Sequence, residues 1–332
     1  MIGYLVRRVG GAVLVLFGLS LLLYGLFYLA PSDPAILTCG KGCTPERIQQ
    51  ARVALGLDKP LVVQYLEYMK GLVAGREMGP PNGRYWCSWP CFGTSFQNNR
   101  PVWDIIKTAL PFTLSIAIGA AAIFLIFGVG IGVTAALHRG KWPDKVAVAI
   151  SSLGVSLPAP FIGLLFLWIV VSKWQLLPYT SNTVTSPWNP DPWTWFKNYL
   201  LAWLTLALIF GANYVRLTRA NMIETMGEDY IRTARAKGLP SRTVTFKHGL
   251  RAAITPVVTV FGLDLGALLG GAVLTETIFS VPGLGRTAVN ATFNQDLPIV
   301  MAVVLFSAFF IIFANIIVDI LYAVIDPRVR LN

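Results

Sequence analysis

The sequence predicts an all-α membrane protein with six transmembrane helices, cytoplasmic N- and C-termini and a small extracytoplasmic domain between helices 1 and 2. Of its 332 residues, 55% are hydrophobic and only 13% are charged. A run of about 20 apolar residues crosses the hydrocarbon core as a helix. The runs that meet this description are 9–30, 109–137, 146–171, 198–215, 254–279 and 297–318.

The first run follows Arg7 and Arg8, a pattern that also occurs in signal peptides. It is longer than the apolar region of a signal peptide, and no small-residue cleavage site follows it. We therefore expect it to be retained as the first membrane helix.

Positive charge alternates along the connections between the runs. It is concentrated before the first run, in 138–145, in 216–251 and in the tail, while 172–197 and 280–296 hold few basic residues. The positive-inside rule then places both termini in the cytoplasm and residues 31–108 outside. Topology thus explains much of the formal net charge of +11, and no nucleic-acid partner is needed.

In the external segment, the pattern of "TPERIQQARVALGLDKPLVVQYLEYMKGLV" predicts two short amphipathic helices separated by a break at Asp58-Lys59-Pro60. Pro45 suits the first position of a helix. A turn-rich piece with aromatic residues follows, and those aromatics either dock a partner protein or pack around disulfides. They are Tyr85, Trp86, Trp89 and Phe92.

All four cysteines of the chain lie in this external segment. Cysteines confined to an oxidising compartment predict two disulfides, whose pairing the sequence leaves open. The alternative is a metal site with four thiolates, which the C-x3-C spacing disfavours. The residues are Cys39, Cys43, Cys87 and Cys91.

Catalytic and nucleotide-binding motifs are missing from the chain. It contains no G-x-x-x-x-G-K-[ST], H-E-x-x-H or G-x-S-x-G pattern. We therefore predict a protein that is not an enzyme and holds no cofactor or metal of its own.

Three acidic residues fall in or near the apolar runs: Asp264, Glu276 and Asp319. Charges inside a membrane are costly and either pair with another group or line a pathway. Both interpretations stay open for Asp264 and Glu276, whereas Asp319 is expected to pair near the cytoplasmic end. Pro158 and Pro160 predict a break or a kink in the third run.

The basic segment 228–251, "EDYIRTARAKGLPSRTVTFKHGLR", is polar and yet lies between apolar runs. Asp229 suits a helix start, because its charge complements the helix dipole. Gly238 followed by Pro240 predicts a sharp stop, after which a second short helix begins. We expect a helix–turn–helix that is exposed in the cytoplasm and offered to a groove on a soluble partner.

This segment resembles the cytoplasmic "EAA" loop of permease subunits of bacterial ATP-binding-cassette importers, most closely the dipeptide and oligopeptide branch. The similarity rests on R-T-A-R-A-K-G-L at 232–239 and H-G-L-R at 248–251. It extends to "ETIFSVPGLGR" at 276–286, "VDILYAVIDPRVR" at 318–330 and "YLVRRV" at the start. The region 80–100 looks like an insertion.

The resemblance implies a heterodimer with a second homologous permease subunit in the bacterial cytoplasmic membrane, in contact with lipid. Two ATPase subunits or domains, which bind ATP and Mg²⁺, would couple to this chain, and an extracytoplasmic binding protein would deliver the substrate for alternating access. The implied ATPase-coupling residues are Asp229, Arg232, Ala234, Arg235, Ala236, Lys237, Gly238 and Leu239.

The expected organisation is a tail and first helix (1–30), an extracytoplasmic domain (31–108), a five-helix permease core (109–322) with a coupling loop at 218–256, and a cytoplasmic tail (323–332). The expected cargo is di- or oligopeptides. Nickel or haem-like cargo in the same family remains an alternative, as does a stand-alone secondary transporter, which would carry inverted repeats.

Overall fold

The computed structural model describes residues 2–28, 35–36, 44–79, 83–178 and 191–325. Nearly all regular structure in these ranges is helical. In chain order the elements are α1 (Ile2–Tyr28), α2 (Pro45–Ala54), α3 (Leu61–Ala74), β1 (Arg76–Met78), β2 (Tyr85–Cys87), α4 (Val102–Leu137), α5 (Trp142–Ser156), α6 (Ala159–Lys173), α7 (Pro192–Gly227), α8 (Asp229–Ala236), α9 (Ser241–Ala253), α10 (Thr255–Leu269), α11 (Val273–Ile278), α12 (Leu284–Phe293) and α13 (Leu297–Ile325).

The elements form two compact units, residues 1–111 with 282–309 and residues 112–281 with 310–332. Within the described residues, four helices are long and apolar enough to cross a membrane: α1, α4, α7 and α13. Two bent helix pairs, α5–α6 and α9–α10, meet the same criterion only when each pair counts as one span. The all-helical membrane class is confirmed, with four to six spans.

The first unit contains the two short helices that the sequence predicted in the external segment. Thr44 caps α2 by accepting a bond from the Arg47 backbone N–H, and Pro45 opens the helix. The break before α3 falls at Pro60, as expected. β1 and β2 then form an antiparallel hairpin in which Glu77 lies opposite Trp86.

A buried carboxylate holds the loop that precedes α4. Asp296 is 2% exposed and accepts hydrogen bonds from the Ser95 hydroxyl and, at 3.1 Å, from the Phe96 backbone N–H. The Gln97 side-chain amide donates to the Asn294 carbonyl at 3.0 Å. These bonds join loop 95–97 to the turn between α12 and α13, although about 200 residues separate them along the chain.

Cys87 and Cys91 are joined by a disulfide in this structure. The bond removes two of the four thiolates that the alternative metal site would need. Cys39 and Cys43 lie outside the described residues. Trp86 and Trp89 are 63% and 66% exposed, so most of each ring surface is free for contact with a partner.

In the second unit, the predicted break in the third run is confirmed. α5 ends at Ser156, Pro158 caps α6, and the two helix axes meet at 101°. The apolar run is therefore two helices and not one straight span.

The expectation of one helix over 254–279 is wrong. α10 ends at Leu269, and α11 begins only at Val273. Gly271 between them has φ +119°, a left-handed conformation that side-chain-bearing residues rarely adopt. Glycines at 270 and 271 therefore end a helix here. Gly262 and Gly266 instead lie close against Val318 and Ile311 of α13.

The core of the second unit is rich in aromatic rings from α4 and α7. Phe124 and Tyr214 lie 4.8 Å apart between ring centroids. Trp203 donates its indole N–H to the Ser115 carbonyl at 2.8 Å. Because the indole is buried, this bond satisfies a donor that would otherwise be costly.

Candidate functional site

The basic segment folds as the sequence predicts, beginning with α8. Asp229 is the first residue of the helix, and Lys237 and Gly238 close it by donating to the carbonyls of Thr233 and Arg235. Gly238 has φ +74°, the left-handed conformation at which helices commonly end. The first helix therefore ends at the predicted residue.

The second helix, α9, starts directly after Pro240. The Val244 N–H donates to the Pro240 carbonyl at 3.1 Å. The middle of this helix, Val244–Leu250, is π-helical. Gly249 lies in this stretch, and a Cβ at Gly249 would be 2.8 Å from the Met226 sulfur, so α9 approaches the end of α7 closely.

A small apolar cluster joins the two helices to α7. Ile231, Ala234 and Val244 are 0%, 8% and 1% exposed, and Met226 packs against them. Ala234 therefore faces the chain's own core, while Ala236 is exposed. The cluster fixes the orientation of α8, because its buried stripe leaves only the opposite face in solvent.

The exposed face of α8 and the turn combines cations with apolar groups. Asp229 and Arg232 form an ion pair at 3.3 Å that is almost fully exposed, so it adds little stability and leaves the guanidinium available. Leu239 is 39% exposed. The remaining exposed members of this face, all predicted from the sequence, are Arg235, Ala236 and Lys237.

The exposed face of α8 and its turn is chemically suited to contact with an acidic partner surface. It offers guanidinium and ammonium donors around a compact turn, which suits a groove lined by carboxylates. Among the described residues, no group of three or more His, Cys, Asp and Glu side chains is arranged to hold a metal ion.

Sequence reasoning missed an ion pair close to this site. Arg219 of α7 binds Asp144 of α5 with both its Nε and its Nη2 atoms, the second at 2.9 Å. Asp144 also accepts the Gly140 backbone N–H at 2.8 Å. Asp144 is the only acid in the basic loop "HRGKWPDK". A single acid among basic residues was the signal in the sequence that could have indicated an ion pair.

The two acids proposed for a pathway have different partners. Tyr214 of α7 donates its hydroxyl to Asp264 at 2.9 Å, and Asp264 is half-buried. Thr113 of α4 donates to Glu276 at 2.8 Å, and Glu276 is fully buried. Each acid thus takes part in an interhelical hydrogen bond. The side chain of Asp319 lies outside the described part of the structure.

Comparison with known proteins finds similarity over the whole chain. Residues 128–331 match the family described as "Binding-protein-dependent transport system inner membrane component". Residues 1–117 match its N-terminal family, "Binding-prot-dependent transport system membrane comp, N-term".

Individual relatives are similar in length as well as in sequence. The chain is 37% identical over 351 residues to the dipeptide transport system permease protein DppB of Escherichia coli (strain K12). It is 36% identical over 330 residues to the glutathione transport system permease protein GsiC of Shigella boydii serotype 4 (strain Sb227). Each alignment covers 99% of this chain and 99% of the relative.

Proposed function

The chain belongs to the family of binding-protein-dependent transport system inner membrane components, and on that premise we propose that it is the permease subunit of an ATP-binding-cassette importer for peptides. It is a multi-pass protein of the bacterial inner membrane and not an enzyme. Relatives named for dipeptide and glutathione transport support peptide cargo over nickel or haem-like cargo. Membership of this family also argues against a stand-alone secondary transporter.

The proposed topology has six spans, in which α5 and α6 together form the third and α10, which follows the cytoplasmic helix α9, begins the fifth. Both termini and the segment 228–251 then face the cytoplasm, and residues 31–108 lie outside. The support is the distribution of Lys and Arg, which is densest in the connections assigned to the cytoplasm.

The proposed partners follow from what this chain lacks. It has no phosphate-binding loop, so ATP and Mg²⁺ would be bound by two separate ATPase subunits or domains. A second homologous permease subunit would complete the pathway, and an extracytoplasmic binding protein would deliver the peptide.

The observation that carries the coupling role is the anchored turn at Gly238. The cluster of Ile231, Ala234 and Val244 ties α8 to α7, so a force on the exposed face reaches a helix of 36 residues. The Asp144–Arg219 pair continues this connection to α5. We assign partner contact to the exposed residues of α8 and its turn, and a positioning role to Ala234.

Asp264 and Glu276 remain proposed pathway residues. In this structure both are held by hydroxyl groups of neighbouring helices. Alternating access would require these hydrogen bonds to be exchanged for bonds to substrate or water as α10 and α11 move.

The coupling role is tested by Gly238→Arg in the reconstituted complex. A Cβ at Gly238 meets no atom of this chain within 4 Å, so the change adds no local clash at that atom and its intramolecular cost is the backbone strain at positive φ. Gly227→Arg is the matched control, because Gly227 also has open space around it and lacks that strain.

We expect Gly238→Arg to insert and assemble but to lose peptide-stimulated ATP hydrolysis and uptake, while Gly227→Arg keeps both. Gly238→Asn separates the effect of backbone strain from that of side-chain size, since asparagine tolerates the left-handed conformation and is smaller than arginine. Normal peptide-stimulated hydrolysis in Gly238→Arg would refute the coupling role.

A further inference from the structure

Helix α3 of the first unit presents an apolar stripe that no described part of the chain covers. Val62, Leu66 and Val73 are 70%, 59% and 72% exposed. Their spacing of four and seven residues places them on one side of the helix. An exposed stripe of this kind marks contact with a partner or with lipid.

The other side of α3 is fastened to α1. The hydroxyl groups of Tyr65 and Ser20 lie 2.8 Å apart in a buried hydrogen bond. Tyr24 donates its hydroxyl to the Gln64 side-chain oxygen at 3.1 Å. Tyr65 reaches further along α1, where its ring meets that of Phe17 edge-on at 6.0 Å.

These contacts fix the depth of α3 relative to α1. Within the described residues, the apolar span of α1 covers Val6 to Phe27. Tyr24 and Ser20 lie about one and two turns before its end, hence roughly 5 and 10 Å inside the apolar span at 1.5 Å per residue. A helix bound at these residues lies beside the span and not above it.

Helix α13 gives the same depth independently. Its apolar span begins at Leu297, and Met301 and Leu305 pack in one cluster with Tyr65 and Tyr68 of α3. Met301 and Leu305 lie about one and two turns after Leu297, hence roughly 6 and 12 Å inside the span of α13. The contacts with α1 and those with α13 therefore place α3 at the same depth along the two spans.

The charged residues of α3 agree with this placement. Glu67 and Lys70 lie on the edge of the helix remote from Tyr65, the residue that reaches deepest. Glu67 is also paired with Lys59, and both side chains are half-exposed. The charged edge thus points toward water, while the apolar stripe lies between it and the deep edge.

We propose that α3 lies in the outer leaflet of the bilayer, with Val62, Leu66 and Val73 in contact with phospholipid acyl chains. Helix α1, to which α3 is bound, also exposes apolar side chains: Leu14, Leu21 and Leu22 are more than half exposed. An amphipathic helix with a charged edge is the element that occupies this interface. Only the assignment to the outer leaflet rests on the proposed topology.

Nitroxide labels test the depth in the full-length chain in nanodiscs of phosphatidylcholine and phosphatidylglycerol. Leu66→Cys and Val73→Cys report on the stripe, and Lys70→Cys on the charged edge is the matched control. The chain with only its native cysteines sets the background. Power saturation with oxygen, which is enriched in acyl chains, is compared with a water-soluble nickel chelate.

We expect the ratio of oxygen to nickel-chelate collisions to be several-fold higher at Leu66 and Val73 than at Lys70. Equal nickel access at all three positions would place α3 in water and overturn the proposal. Protection from both reagents at Leu66 and Val73 would show that protein covers the stripe and would also overturn it. The measurement does not depend on transport, so its failure is distinct from a failure of the proposed function.

Discussion

Replacing one glycine of α4 tests the close approach of α4 and α7, the helix that leads to the coupling segment. Gly132 is buried, and a Cβ there would lie 2.7 Å from the Thr218 Cβ and 2.9 Å from the Val215 carbonyl oxygen. Gly130, in the same helix, is exposed and would meet no atom within 4 Å. Gly132→Ala and Gly130→Ala are therefore a matched pair.

The difference in stability between the two variants measures the energy of packing α4 against α7 at Gly132. Glycine to alanine in a helix interior gains about 1 kcal/mol of helix propensity at either position, and this gain cancels between the two variants. At Gly132 the obstructing atoms belong to backbone or to a Cβ, so the helices must separate. Overpacking of this kind costs about 1–3 kcal/mol, and we expect Gly132→Ala to be less stable than Gly130→Ala by that amount.

The free energy of unfolding is measured by denaturant titration of the chain in mixed micelles, and thermal inactivation of the assembled complex provides a second reading. Gly130→Ala should match or exceed the parent chain in stability. If the two variants are equally stable, the close approach of α4 and α7 at Gly132 is refuted.

Three further perturbations test individual contacts. Asp144→Asn and Arg219→Gln should each lower the thermal stability of the complex, and the double variant should lose less than the sum of the two; additive losses would show that the ion pair is not formed. Asp296→Ala leaves the Phe96 N–H and the Ser95 hydroxyl without their acceptor, so the free energy of unfolding should fall by about 1–3 kcal/mol and proteolysis within 94–100 should become faster. Unchanged cleavage would show that Asp296 does not hold this loop. Asp264→Asn keeps an oxygen for the Tyr214 bond but removes the charge, so peptide uptake by the reconstituted complex should fall without loss of assembly; full uptake would leave Asp264 a structural role.

Local structure was largely predictable from short patterns. Asp229 starts a helix, Gly238 ends it in the left-handed conformation, and Pro158 separates α5 from α6, because each of these residues acts through its own backbone or first-turn chemistry. The exception is 254–279, where hydropathy stays high across a break. Apolar composition favours burial in a membrane but does not distinguish one helix from two.

The sequence by itself determined the membrane class, the break at Pro158 and the basic segment, because hydropathy, proline and glycine act locally. Only the tertiary structure decided that Arg219 pairs with Asp144, that Tyr214 binds Asp264, and that Ala234 faces inward. The residues of each pair are 50 to 75 positions apart, so nothing in their neighbourhood specifies the partner. Partner choice depends on which helix faces meet, and that is set by the packing of the whole unit.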